Sequence, residues 1–356
     1  MRKQFENLLV SAPNDGGVFL VHEGNTFRLD NLNTTGLFCY AKGVLRGLQP
    51  AEFCIYEETV RSITNESVPF ADVHDVHYEA GFFYLAGTSG NEILKLTQDG
   101  EEVRRWVFPG EEDSWHINCL GTWNGRIVFS AFGDFRGHRG YKGNTDKAGF
   151  VQDLLTGERL ISELSQPHSL VPFGKNLLLA NSERMEILEF SLSGDIVRSK
   201  HLDGYPRGIC VGENAIYVGL SCSRNIGLDG ISCAAIVSLD PDTLEELGRI
   251  SLPTNEIYGI QRVADRDDLI RAISAIASSS SARLTDSLAE RDGQISSLTQ
   301  EVTARSDNIA HLHQTVAELE EERAKFLASS STVAELEEER AKFLASSSWR
   351  LTRPLR

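Results

Sequence analysis

The sequence lacks the features that mark membrane, secreted and nucleic-acid-binding proteins. No apolar run approaches the roughly 20 residues of a membrane-spanning helix, and the run at residues 8–10 is too short for the core of a signal peptide. The six cysteines include no Cys-x-x-Cys pair, which favours a reducing compartment. Acidic residues outnumber basic ones by 51 to 35, whereas binding to a phosphate backbone needs Lys and Arg. We therefore expect a cytoplasmic protein that does not bind nucleic acid.

Motifs of nucleotide-binding and acyl-transfer enzymes are missing as well. The sequence contains no Gly-x-Gly-x-x-Gly, no Gly-x-x-x-x-Gly-Lys-Ser/Thr and no Gly-x-Ser-x-Gly. No cysteine has an evident histidine partner for nucleophilic catalysis. We predict no cofactor.

Short β-rich runs separated by Gly, Asn and Asp turns recur through residues 1–264. Four quartets of such runs lie between residues 77 and 252, and a fifth lies between residues 36 and 64. A sixth quartet is split, with three runs near the N-terminus and one at residues 257–263. Pairing these two parts would close a ring and remove exposed sheet edges. We predict an all-β head, residues 1–264, that forms a six-bladed β-propeller closed by its N- and C-terminal strands.

Alignment of the quartets on their second strands places one residue per blade at the start of the innermost strand. Successive positions are about 40 to 50 residues apart, which is the spacing of propeller blades. These positions should surround the upper mouth of the central channel and bind ligand there. They are Thr35, His74, Asn118, His168, Arg207 and Tyr258.

Two long loops, residues 133–147 and 222–233, join the second and third strands of their blades and should overhang the same mouth. We expect them to contribute further ligand-binding side chains, namely Arg136, Arg139, Tyr141, Lys142 and Arg224. Arg, His and Asn around a pocket favour an anionic or sugar-like ligand. The alternative is that these side chains hold channel water and bind nothing else.

A reaction at the mouth is a second interpretation. A lyase or hydrolase would use His74, His168 and Arg207 as its catalytic residues. A divalent metal held by His74, His116 and His168 is a further alternative, because imidazoles from different blades can converge on one ion. A third interpretation is a scaffold that binds proteins and catalyses nothing.

The strand pattern stops after residue 264, and apolar residues then follow heptad spacing. This apolar stripe consists of Leu288, Ile295, Leu298, Val302, Ile309, Leu312, Val316, Leu319 and Phe326. Because a single helix would leave the stripe in water, we predict an α-helical coiled-coil stalk at residues 265–348 and a homo-oligomer. Residues 315–331 and 332–348 are identical copies of a 17-residue unit, and tolerance of such a duplication is typical of a spacer.

The last eight residues, 349–356, combine one Trp with three Arg. A basic tail with an aromatic residue can lie on an anionic membrane surface or dock on a partner protein. Membrane contact would place the protein at the inner face of the cytoplasmic membrane. The residues expected to make this contact are Trp349, Arg350, Arg353 and Arg356.

The head resembles an uncharacterised bacterial propeller family, described as a domain of unknown function. The matching segments, in order, are Leu8-Leu-Val-Ser, Gly36-Leu, His116-Ile-Asn, Gln166-Pro-His-Ser-Leu, Pro206-Arg-Gly and Val218-Gly-Leu-Ser. The resemblance implies the propeller fold, and it carries no activity or catalytic residues.

The C-terminal tail resembles a terminal motif of bacterial surface-polysaccharide glycosyltransferases, Ser-x-Ser-Trp-Arg-x-Thr-x-Pro-Leu-Arg. Residues 346–356, Ser-Ser-Ser-Trp-Arg-Leu-Thr-Arg-Pro-Leu-Arg, fit that motif. Those relatives usually have a transferase domain, and this chain shows none. The resemblance implies an accessory role in bacterial glycan assembly, beside a glycosyltransferase or another assembly enzyme. The head would then bind a saccharide, a sugar phosphate or a partner protein.

Overall fold

The computed structural model describes residues 5–14, 16–222 and 234–346. Within these residues, 24 strands form six antiparallel sheets of four strands each, and one long helix follows them. The predicted fold class is therefore confirmed: the head is a six-bladed β-propeller, and the segment after it is α-helical.

The strands follow one another blade by blade along the chain. The first three are β1 (Leu8–Ala12), β2 (Gly17–His22) and β3 (Asn25–Arg28). Blade 1 contains β4 (Thr34–Tyr40), β5 (Gly43–Leu48), β6 (Glu52–Tyr56) and β7 (Val60–Thr64). Blade 2 contains β8 (Val73–Glu79), β9 (Phe82–Gly87), β10 (Glu92–Leu96) and β11 (Glu102–Val107). Blade 3 contains β12 (Ile117–Trp123), β13 (Arg126–Ala131), β14 (Gly149–Asp153) and β15 (Arg159–Leu164).

The remaining blades complete the ring. Blade 4 contains β16 (Pro167–Phe173), β17 (Asn176–Asn181), β18 (Glu186–Phe190) and β19 (Ile196–His201). Blade 5 contains β20 (Tyr205–Val211), β21 (Ile216–Ser221), β22 (Ala234–Leu239) and β23 (Glu246–Leu252). The last strand, β24 (Gly259–Arg262), pairs antiparallel with β1, so that Val10 lies opposite Ile260. Blade 6 therefore combines strands from both ends of the propeller, as the split quartet predicts.

Apolar cores lie between neighbouring blades. The middle strands of each blade are largely buried, as in β9, whereas outer strands such as β11 and β19 are mostly exposed. Six buried apolar clusters join the blades pairwise around the ring. The outer strands also carry charged side chains, including Arg104, Arg105 and Arg198, and such charges discourage edge-to-edge pairing.

The helix α1 (Arg266–Ala345) begins against the propeller. Its first turns bury Leu269, Ala272 and Ile276 in the apolar cluster between blades 6 and 1. The compact unit that contains the propeller accordingly extends to residue 282, and residues from 283 onward form a second unit. In that second unit the large apolar side chains from Leu284 to Leu344 are 42–69% exposed. Among the described residues, no helix combines the length and the apolar character needed to cross a bilayer.

Replacing Ile276 by Ala should lower the free energy of unfolding of the propeller by about 2–3 kcal/mol, because a fully buried side chain is truncated next to packed neighbours. Chemical denaturation followed by circular dichroism measures this change. The matched control is Ile270→Ala on the same helix, where the side chain is 50% exposed and the loss should stay within about 0.5 kcal/mol. Equal losses at both positions would show that the helix start does not stabilise the propeller.

Candidate functional site

A cavity of about 500 Å³ lies at one end of the central channel, where the ring positions were expected. Inner strands from several blades and the loop between β13 and β14 form its wall. Seven of the residues that the sequence predicts to bind ligand line this mouth cavity: Thr35, His74, Arg139, Tyr141, Lys142, Arg207 and Tyr258.

Some predicted ligand-binding residues do not line the mouth cavity. Asn118 and His168 are 0% and 1% exposed, and they contact Tyr258 and Arg207 from below. Arg136 is exposed on the loop but outside the cavity. These three side chains therefore do not line the cavity, and direct ligand contact by them stays a prediction. Predicted residues that lie outside the described part of the chain are Arg224, Trp349, Arg350, Arg353 and Arg356.

β-Bulges position the inner-strand side chains at the mouth. In each of the first five blades, the pairing between the innermost and second strands shifts register at this level of the ring. The shifts fall between Thr34 and Leu37, Val73 and Asp75, Ile117 and Cys119, His168 and Val171, and Arg207 and Ile209. His74 and Asn118 are thus extra residues that the ladder skips. A bulge changes the direction of the side chains around it. The bulge that recurs in these blades therefore positions inner-strand side chains at the mouth.

Arg207 is the cation held at the floor of the mouth cavity. Its Nε donates to His168 Nε2 at 3.1 Å, and its Nη1 donates to Glu256 Oε2 at 3.3 Å. Its Cζ lies 4.6 Å from the centroid of the Tyr258 ring, which is within the range of a cation–π contact. The side chains of Arg207 and Glu256 are only 14% and 12% exposed. The guanidinium is therefore fixed in orientation and largely desolvated.

His168 orients Arg207. Its Nδ1 lies 2.9 Å from the Gln166 carbonyl oxygen and 2.8 Å from Ser182 Oγ, while its Nε2 accepts from Arg207. Burial and the neighbouring Arg207 charge hold the pKa of His168 well below 6.5, so the ring is neutral with its proton on Nδ1. Because both ring nitrogens are occupied, His168 has no nitrogen free to exchange a proton with a ligand.

Tyr258 and Asn118 separate the mouth from the rest of the channel. The Tyr258 hydroxyl donates to Asn118 Oδ1, and both side chains are buried. Tyr258 lines the mouth cavity and also a second cavity of about 610 Å³ at the other end of the channel. This layer therefore forms the floor on which Arg207 lies.

Two histidine–aspartate pairs lie in the wall of the mouth cavity. His74 Nε2 is 3.2 Å from Asp72 Oδ1, and His116 Nδ1 is 2.8 Å from Asp113 Oδ1. The His74 and His116 rings are nearly perpendicular, with centroids 4.9 Å apart. The two pairs therefore present their imidazoles to the same space.

Asp113 also fixes the long loop over the mouth. Its Oδ2 accepts from Arg139 Nε at 2.8 Å and from the Tyr141 hydroxyl at 2.9 Å. Burial opposes ionisation of Asp113, but the hydrogen bonds from His116, Tyr141 and Arg139 lower its pKa. An ionised, nearly inaccessible carboxylate thus connects the loop to the cavity wall.

The acidic residues of the site are not among the predicted ligand-binding residues. Asp72, Asp113 and Glu256 all line the mouth cavity, and each lies one to four residues before an inner strand rather than inside one. Acidic residues in the short segment before the innermost strand are the sequence signal that marks them. In the described part of the chain, no three His, Cys, Asp or Glu side chains are grouped so as to hold a metal ion, and the set His74, His116 and His168 forms no such group.

Comparisons with known proteins concern the propeller. A protein of unknown function from Bacteroides caccae is 13% identical over 73% of this chain and 99% of its own, with a TM-score of 0.50. A chain of the nidogen/laminin complex is 13% identical over 72% of this chain and 97% of its own, with a TM-score of 0.53. Likeness at this identity shows the fold alone, and no curated protein matches. The family model described as Domain of unknown function (DUF4915) matches residues 68–261, more than half of the chain, and the protein therefore belongs to the DUF4915 family.

Proposed function

We propose that this protein is an accessory binding protein of bacterial surface-glycan assembly, whose mouth cavity binds a small anionic ligand. The observation that carries the proposal is Arg207 at the floor of a 500 Å³ cavity. That volume lies within the range of small-molecule sites, roughly 300–1,000 Å³. A desolvated guanidinium whose orientation is fixed by His168 and Glu256 can donate hydrogen bonds to a carboxylate or phosphate.

Catalysis by His168 has less support. Both ring nitrogens of His168 are engaged by Gln166, Ser182 and Arg207, whereas an acid or base must reach the proton it transfers. Binding needs no free nitrogen at His168. We therefore propose binding rather than a reaction that uses His168.

Replacing Arg207 by Ala should weaken anion binding by about 1.5–3 kcal/mol, the usual worth of a hydrogen bond to a charged group. This corresponds to a loss of affinity of roughly ten- to 150-fold. Titration calorimetry of the full chain with D-glucose 6-phosphate measures the change. The matched control is Arg136→Ala, because that arginine lies on the loop between β13 and β14 but does not line the cavity. The affinity of this variant should be unchanged.

The Arg207→Ala variant also removes one partner of Glu256, so its folding has to be measured separately. The double variant Arg207→Ala/Glu256→Gln removes both charges of this ion pair and should melt closer to the parent. Unchanged affinity in both variants, at parental stability, would contradict an anion site at the floor of the mouth.

We further propose that the second unit joins two or more copies of this chain through its apolar stripe. Fifteen large apolar side chains between Leu284 and Leu344 are 42–69% exposed on the helix, and a heptad stripe of this kind is self-complementary. Salt bridges spaced four residues apart lie along the same helix, such as Arg305–Glu301 and Lys325–Glu321. Arg305 interrupts the stripe between Leu298 and Leu312. A second copy of the helix is the occupant that this pattern fits.

Substituting Lys for both Leu298 and Leu312 should convert the self-associated protein to a monomer, because two charges would enter the shared apolar core. Sedimentation equilibrium at tens of micromolar measures the state. The matched control substitutes Lys for Gln300 and Gln314, which lie on the opposite side of the heptad pattern, and it should leave the mass unchanged. A parent protein that sediments as a monomer would refute the proposal.

The proposed place of action follows from the tail sequence at residues 346–356. Its likeness to the terminal motif of surface-polysaccharide glycosyltransferases supports contact with such an enzyme or with the inner face of the cytoplasmic membrane. In this proposal Trp349 and the three arginines provide the docking contact.

A further inference from the structure

The mouth cavity contains three polar atoms that no described residue satisfies, and the first belongs to His74. Its Nε2 faces Asp72 Oδ1 at 3.2 Å, and Asp72 also accepts from Gln49 Nε2 at 2.6 Å. Because an ionised carboxylate only accepts hydrogen bonds, Nε2 of His74 carries a proton. The remaining nitrogen, Nδ1, is buried with no hydrogen-bond partner in the described part of the chain.

The second atom is Nε2 of His116. Asp113 receives the Nδ1 proton of this ring at 2.8 Å, and it is held ionised by Arg139 and Tyr141. Burial lowers the pKa of His116, so the ring is neutral and Nε2 keeps its lone pair. No residue in the described ranges donates to that nitrogen.

The third atom is Nη2 of Arg207. Nε and Nη1 of the same guanidinium are bonded to His168 and Glu256, whereas Nη2 has no acceptor among the described residues. All three side chains, His74, His116 and Arg207, line one cavity. Together they offer two imidazole nitrogens and one charged donor.

We propose that the ligand of the mouth cavity is a small hydroxylated acid, of the chemical class of sugar acids and sugar phosphates. Two of its hydroxyl groups form hydrogen bonds with His74 Nδ1 and His116 Nε2, and its anionic group accepts from Arg207 Nη2. The proposal rests on the anion-binding function above and adds that hydroxyl groups are required as well as charge. A buried polar atom left unpaired, such as His74 Nδ1, is costly, so an acid without hydroxyls should bind poorly.

Titration calorimetry of the full chain with four probes tests this requirement. D-Glucuronate and cyclohexanecarboxylate share a six-membered ring and a carboxylate, but only the first has hydroxyls. D-Glucose has the hydroxyls without the charge, and D-glucose 6-phosphate replaces the carboxylate by phosphate. We expect D-glucuronate or D-glucose 6-phosphate to bind at least tenfold more tightly than both cyclohexanecarboxylate and D-glucose. The order of the two favoured probes identifies the anionic group.

Variants of His74 and His116 test whether the two imidazoles cause the preference for hydroxylated acids. His74→Phe and His116→Phe keep a ring in place and remove one hydrogen-bonding nitrogen each, and each should weaken the favoured probe by roughly five- to tenfold while leaving cyclohexanecarboxylate unaffected. His74→Gln provides a second test if a Phe variant fails to fold. Equal binding of cyclohexanecarboxylate and D-glucuronate would overturn this inference and leave the anion-binding function standing. Failure of all charged probes to bind would overturn both.

Discussion

Replacing Arg46 by Met will lower the free energy of unfolding by about 3–5 kcal/mol, because it leaves a buried carboxylate without its partner. Arg46 lies in the middle of β5 and is fully buried. Its Nη1 and Nη2 donate to the two carboxylate oxygens of Asp30 at 2.6 and 2.7 Å. Its Nε donates to Thr34 Oγ1 at 2.9 Å. This network joins the segment after β3 to blade 1, next to the closure of the ring.

Urea denaturation of the full chain, followed by far-ultraviolet circular dichroism, measures the loss. The double variant Arg46→Met/Asp30→Leu removes both charges and should recover most of the stability, since apolar pairs often replace buried ion pairs without cost. A loss below about 1 kcal/mol in the single variant, which is the size expected of an exposed pair, would show that Asp30 reaches water once Arg46 is absent.

Lowering the pH from 7 to 4 will destabilise the propeller, and His77 alone should account for about 3 kcal/mol of the change. Burial lowers the pKa of His77 from 6.5 to about 4. Its Nε2 lies 2.8 Å from Thr122 Oγ1, which in turn donates to Glu79. Between pH 6.5 and about pH 4, His77 binds a proton in the unfolded chain but not in the folded chain. The free energy of unfolding therefore falls as the pH falls through this window.

Other buried groups act in both directions. His116 and His168 also have lowered pKa values, so they add to the loss of stability in acid. Asp75 opposes them, because burial raises its pKa to about 7. The folded state then holds a proton that the unfolded carboxyl releases above about pH 4, which favours folding at acidic pH. In acid the three histidines lower the free energy of unfolding and Asp75 raises it, so the net change is a loss of stability.

Urea denaturation at several pH values from 7.5 to 4.5 measures how steeply the free energy of unfolding depends on pH. The variant His77→Gln shows which part of that slope is due to His77. The Gln amide can donate to Thr122 but does not titrate, so the slope below pH 6 should be shallower by one proton, about 1.4 kcal/mol per pH unit. The control His201→Gln changes an exposed residue and should keep the parental slope. Identical slopes in all three proteins would refute a neutral, buried His77.

The ring of blades and the mouth positions were predictable because they depend on local patterns. Strand alternation and turn residues repeat along the chain, and alignment of the quartets pointed to Thr35, His74, Arg207 and Tyr258, which all line one cavity. The depth of each side chain was not predictable. Asn118 occupies the same position in its blade, but it is buried under Tyr258.

Interactions between side chains of different blades were not predictable from the sequence, because they depend on packing between distant segments. Glu256 pairs with Arg207 from another blade connection, 49 residues away, and no short pattern links the two. The Arg46–Asp30 pair had a usable signal, since an arginine inside the apolar strand Gly-Val-Leu-Arg-Gly-Leu requires a buried counter-ion. The packing of the helix start against the propeller also had a sequence signal, which is the helical spacing of Leu269, Ala272 and Ile276.

The repeated bulge has a consequence for how this fold diversifies. His74, for example, lies outside the ladder that holds the innermost strand to its neighbour, and it lines the mouth cavity. A mutation at such a position alters the chemistry of the mouth while every backbone pair of the blade stays in register. Ligand preference can therefore drift one blade at a time during evolution, without passing through unfolded intermediates. Family members that differ at these positions are expected to share the scaffold and to recognise different molecules.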